Sequence, residues 1–172
     1  MGKTGKQIRS LLTIAAMVAI VETGKQLLNA LPNIEVVTLL FIVFTKVFGW
    51  KKTLAAALLF ALLECIWWGF GTWSIVYFYM WPLLVWFTWL IRKQESVWAY
   101  ALLAGAFGLL FGAFSSVASI LLVGFKTAFA WWVSGIPYDL IHGGSNLVIC
   151  ALLYQPLVSA LTRIVNHYGS LH

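Results

Sequence analysis

Charge is what this chain has least of. Only 9% of its 172 residues are Asp, Glu, Lys or Arg, against 62% hydrophobic residues and a mean hydropathy of +0.94. So little polar surface cannot coat a water-soluble globule of this size, which excludes a soluble domain and points to an integral membrane protein. Cysteine is scarce as well. Cys65 and Cys150 fall on different predicted helices at different depths, which argues against a built disulfide without excluding it; both read as small buried apolar side chains.

Catalytic signatures are missing too. The chain has no H-E-x-x-H, G-x-S-x-G or paired acidic motif, and a single Asp, one membrane His and scattered Glu residues do not compose a metal site. No catalytic residue, metal or cofactor is therefore expected. Glu64 and His142 as acid and base of an intramembrane hydrolase or metal-dependent lipid enzyme stay open as a contrary reading. There is no G-x-x-x-x-G-K-[ST] loop, so energy from ATP has to come from other proteins. A stand-alone permease or structural membrane subunit is the third possibility. Against the permease, no repeat relates the first and last halves, and Pro82 has no counterpart in the first span.

Apolar runs are what the chain has in abundance. Windows of about 20 residues cross roughly 30 Å of hydrocarbon. They define six spans, Ile8–Leu28, Ile34–Phe48, Thr53–Phe70, Ser74–Ile91, Val97–Val123 and Ile136–Val165. The expected fold is all-α, a compact six-helix transmembrane bundle forming a single domain over residues 1–172. Lys3, Lys6, Arg9, Lys46, Lys51, Lys52, Arg92, Lys93 and Arg163 fall on one side of this topology and only Lys25 and Lys126 on the other, which predicts cytoplasmic termini. The net charge of +6 is spread over inner loops that anchor at anionic headgroups, and no nucleic-acid partner is needed to explain it. Lys3, Lys6 and Arg9 before an apolar run imitate a signal peptide, yet Glu22, Lys25 and Gln26 continue a helix, so a retained first helix is expected.

The candidate site begins in the last span. At about 100° per residue, Asp139, His142 and Asn146 share one arc with Gly143 and Cys150. Ionisable groups at membrane depth usually face a partner, a cavity or a ligand. Trp67, Trp68, Trp73, Trp131 and Trp132, with Tyr77, Tyr79 and Tyr138, gather at the outer ends of spans three, four and six and in the loop before span six. Singly, each fits an interfacial belt. Taken with Glu22, Gln26, Asn29, Asn33, Glu35 and Glu64 near the same depth, they compose apolar walls with a few converging polar groups, the makings of an outward-facing pocket for an organic solute. For His142 a helix-bracing bond competes with ligand contact. Asn146 and Asp139 either bond ligand edges or brace the lids, taken to be the Leu31–Asn33 turn and a Lys126–Ser134 loop. Ala15 and Ala19 form a small-xxx-small pair that suits close helix approach, either to another subunit or within the bundle.

The short spans with both ends inside, Ala15-x-x-x-Ala19, the LPNIEVVTLL turn and the PYDLIHGGSNLVICALLYQPL helix together resemble the substrate-binding S component of an energy-coupling factor (ECF) transporter. The resemblance implies vitamin uptake at a bacterial plasma membrane, with a transmembrane T subunit and two cytosolic ATPases as partners. It implies T-subunit docking at Ala15 and Ala19. Within the family the chain is most similar to the cobalamin-specific members, with folate and riboflavin behind. Members that bind nickel or cobalt carry His directly after the initiator Met, where this chain reads Met1, Gly2, Lys3.

Overall fold

The computed structural model describes residues 3–170, and every regular element among them is an α-helix. In chain order these are α1 (Lys3–Leu27), α2 (Val37–Phe48), α3 (Trp50–Trp68), α4 (Thr72–Leu90), α5 (Val97–Leu109), α6 (Phe111–Val123) and α7 (Phe125–Ser170). The bundle is organised around α2. Its sequence VTLLFIVFT is apolar on every face, and such a helix is stable only when neighbours surround it. Val37 through Thr45 are accordingly all buried, with α1, α3, α4, α5 and α7 packed on them. Beside α2 lies an aromatic core. The Trp81 ring sits 5.5 Å from Phe41, 6.0 Å from Phe60 and 6.3 Å from Phe107, in the tilted and edge-on arrangements that ring quadrupoles favour.

The outside of the bundle is as apolar as the inside. Leu11, Leu12, Leu102, Leu121 and Leu152 are each more than 60% exposed. Four stretches, Thr4–Leu27, Thr72–Leu90, Val97–Val123 and Phe125–His167, are long and apolar enough to cross a membrane. The chain is a helical membrane protein. α2 rises only about 18 Å over its 12 residues, and α3 carries Lys51, Lys52 and Glu64 within its 19.

Glycine decides two features of the packing. A single residue, Gly49, joins α2 to α3, and its φ of 84° is a turn that a side chain would strain. Gly108 on α5 lies so close to α7 that a Cβ there would stand 2.9 Å from the backbone of Gly143 and His142. Small residues permit this approach.

One expectation holds and one is corrected. Span five keeps its bounds, Val97–Val123, as one apolar stretch long enough to cross a membrane, built of α5 and α6 with Leu110 at φ −95° and ψ 1° between them. Gly108 and Gly112 flank the break, and the Gly112 N–H bonds to Asp139 Oδ1 at 3.1 Å across the interface instead. The Lys126–Ser134 loop does not exist. Those residues, Trp131 and Trp132 among them, open the 46-residue α7. The only break in this stretch is Gly124, at φ 78°; beyond it the run FKTAFAWWVS contains no helix breaker. Pro137 and Pro156 are carried inside the helix, as membrane helices tolerate.

Candidate functional site

Glu64 is the one carboxylate of α3, and in an apolar helix it needs a partner. It finds Lys25, from the end of α1, in an ion pair that also brings the Lys25 ammonium 5.7 Å above the Trp68 ring. Trp68 closes α3, and Trp73 opens α4 with Tyr77 one turn on. Together with Asn29 these residues line a pocket of about 320 Å³ at one end of the bundle, where the C-terminal ends of α1 and α3 meet the N-terminal end of α4. The walls are ordered by their own packing. Trp73 stands edge-on to Tyr77 at 5.3 Å, and Tyr77 stacks on Phe60 at 6.0 Å and meets Trp81 at 5.5 Å. The pocket thus rests directly on the aromatic core.

The polar arc of α7 does something else. His142 and Asn146 are buried there with Gly143 and Cys150, as helical spacing predicts, while Asp139 is half-buried. His142 Nε2 meets Glu35 Oε1 at 3.3 Å; because an ionised carboxylate only accepts, the imidazole nitrogen is the donor. The other Glu35 oxygen accepts the Thr38 N–H at 2.9 Å, one of the free donors at the start of α2. Asn146 Nδ2 donates to Thr38 Oγ1 at 3.2 Å, and the Ser145 hydroxyl lies 3.0 Å from the Asn33 carbonyl. Asn33 itself takes a φ of 59°, a left-handed conformation that asparagine tolerates better than most residues. Glu35, in the turn, is opposed by burial. The His142 ring and the Thr38 N–H outweigh that cost and hold its carboxyl below the ordinary value. These bonds form a clamp that ties the α1–α2 turn to α7.

The predicted site residues therefore separate. Trp68, Trp73 and Tyr77 line the pocket. Asn33, Glu35, His142 and Asn146 form the clamp, and Asp139 caps α6, so these polar groups brace helices rather than line the pocket. Gln26 donates to Glu22 Oε1 at 2.7 Å behind the pocket's edge. Trp67, Trp131 and Tyr138 point outward, 69%, 57% and 58% exposed, and Trp132 packs on Phe129. They suit the membrane interface, because the exposed face of an apolar bundle is where amphipathic rings settle. Asn29 and Glu64 belong to the polar groups that the sequence puts near the depth of the aromatics, whereas Lys25 was not an expected site residue. Its signal was present: a carboxylate within an apolar helix and a cation at the end of span one have strong reason to pair.

Ala15 and Ala19 are exposed on α1, so they do not serve internal packing. Ala19 borders an apolar groove of about 440 Å³ between α1, α2 and α7, with Gly24, Leu27, Leu39, Leu153 and Leu157 around it. Cys65 and Cys150 are both free and buried. No protein-family model, no curated protein and no solved structure matches the chain.

Proposed function

We propose that this chain is the S component of an ECF-type importer, a membrane subunit that captures an organic vitamin and holds no ATPase of its own. The observation that carries the reading is the pocket. Aromatic walls, one buried ion pair and Asn29 stand at the end of the bundle where α1 leaves the membrane, and largely apolar concavities with few polar groups are what small organic ligands occupy. Six crossings follow if α5 and α6 count as one and the short α2 lies within the bundle. The distribution of Lys and Arg then puts both termini in the bacterial cytoplasm and the pocket outside. The exposed Ala15 and Ala19 supply a face on which a T subunit can dock, with two cytosolic ATPases behind it. Delivery follows from reorientation of the whole subunit against that partner.

The vitamin suggested by the resemblance is cobalamin, with folate and riboflavin behind. A specific observation favours a smaller ligand: 320 Å³ lies at the low end of ligand-pocket volumes, and a corrinoid would have to force Trp68, Trp73 and the α1–α2 turn apart. Mass spectrometry of small molecules released from the purified protein, after growth with a mixture of B vitamins, tests both readings. A stoichiometric vitamin is expected. Protein that retains none and binds none on titration overturns the proposal. Transport by the chain alone in proteoliposomes would mark a permease instead.

A further inference from the structure

The ion pair in the pocket between α1, α3 and α4 faces a ligand unequally. Glu64 and Lys25 both line the pocket, yet the Glu64 side chain is 2% exposed and the Lys25 side chain 22%. The acid is sealed by its own neighbours. Glu64 Oε2 accepts from Lys25, Glu22 Oε1 accepts from the Gln26 amide, and the remaining oxygen of each acid is buried. Glu22 and Glu64 also hydrogen-bond to each other. Ionised carboxylates only accept, so a bond between the two acids holds one proton. Together they then carry one negative charge, which the Lys25 ammonium balances.

What a ligand meets is therefore a hydrogen-bond donor whose charge is already cancelled. An ammonium has three N–H groups, and Glu64 takes one of those on Lys25. Nζ stands 5.7 Å from the centre of the Trp68 ring, so its open side borders the aromatic wall. Trp73 and Tyr77, edge-on at 5.3 Å, continue that wall and suit a flat molecule. A cationic ligand would meet the ammonium with like charge. An anionic one would lose its hydration against apolar walls and add a further negative charge to the two acids. A neutral acceptor suffers neither penalty.

We infer that Lys25 is the recognition group of this pocket, and that its ligand is a flat, uncharged ring system with a carbonyl-type acceptor on one edge. The assignment rests on the capture reading above. The acceptor bonds to Lys25 Nζ, and the ring lies against Trp68, Trp73 and Tyr77. Glu64, backed by Glu22, acts through Lys25 by holding the ammonium in place and cancelling its charge.

The carboxamide, carboxylate and amidine of naphthalene share a shape and differ in acceptors and charge, which makes them suitable probes. Each is titrated by calorimetry into the full chain in nanodiscs, against empty nanodiscs. The carboxamide is expected to bind about tenfold tighter than the amidine, the size of one charge-assisted hydrogen bond, and tighter than the carboxylate. Lys25→Met with Glu64→Leu replaces the ion pair by apolar groups, an exchange that folded proteins commonly tolerate. In that variant the carboxamide and amidine are expected to converge to within about twofold. Lys25→Arg keeps the charge and the donors and is expected to keep the wild-type order, which holds the test open should the double variant fail to fold. Tighter binding of the amidine or the carboxylate, no binding of the carboxamide, a preference unchanged in the double variant, or a preference lost in Lys25→Arg overturns the inference. A parallel titration with B vitamins separates the two readings. A vitamin bound equally by wild type and the double variant leaves the capture reading standing and overturns this one. Carboxamide preference without any vitamin binding supports the pocket chemistry and removes the capture reading.

Discussion

Breaking the clamp between Glu35 and His142 should loosen the α1–α2 turn by an amount that can be worked out in advance. The Nε2–Oε1 separation of 3.3 Å is longer than the usual 2.7–3.2 Å, so the bond belongs at the weak end of the charge-assisted range, about 1.5 kcal/mol. Glu35→Gln removes the charge yet can still accept the Thr38 N–H. His142→Ala also loses the edge-on Phe111 contact at 5.1 Å, so its single effect should exceed the pair's own coupling. A double-mutant cycle on these two positions, read by equilibrium unfolding in mixed micelles, should give a coupling of roughly 1 to 1.5 kcal/mol. The pH dependence has a definite sign. The folded Glu35 carboxyl titrates below its ordinary 4.5, so the stability it contributes is fully present above that value and is lost as pH falls through the lower folded pKa. The gap between wild type and Glu35→Gln should close as pH falls below about 5. Effects that add to within about 0.3 kcal/mol would refute the clamp.

Other parts of the bundle make separate predictions. Asp139→Ala should cost about 0.5 to 2 kcal/mol by uncapping α6 at Gly112, whereas Asp139→Asn, which retains an acceptor, should cost much less in the same unfolding assay. Lys25→Met strands the Glu64 carboxylate and should destabilise by about 3 to 5 kcal/mol, seen as lost folded yield on size exclusion, with Lys25→Arg restoring most of it. Gly108→Ala drives a methyl into the backbone of α7 and should cost about 1 to 3 kcal/mol, while Gly144→Ala, which meets nothing within 4 Å, should be tolerated in a thermal melt. Ala15→Leu with Ala19→Leu changes an exposed face and should leave stability within about 0.5 kcal/mol; on the proposed importer role it should also leave ligand binding intact and abolish uptake assayed with a T subunit and ATPases.

Several features of this molecule were legible in the chain itself. Hydropathy made it a helical membrane protein, because so few charges cannot satisfy water over a folded surface. Helical periodicity put His142, Asn146 and Cys150 on one buried face, because 3.6 residues per turn is a property of the backbone alone. What those residues do was decided by tertiary contacts. Whether Asn146 meets a ligand or Thr38 depends on where α2 lies, more than a hundred residues away in the chain. Whether Asp139 meets a ligand or the Gly112 N–H likewise depends on how α7 packs against α5 and α6. The partition of the tryptophans, with Trp68 and Trp73 in the pocket and Trp67 and Trp131 outside, follows from helix rotation and packing. Composition carries no information about that, because a Trp is equally at home in a pocket wall and at a membrane interface. The pairing of Lys25 with Glu64 lies between the two cases: each charge by itself demanded a partner, and only the meeting of α1 with α3 determined which one it found.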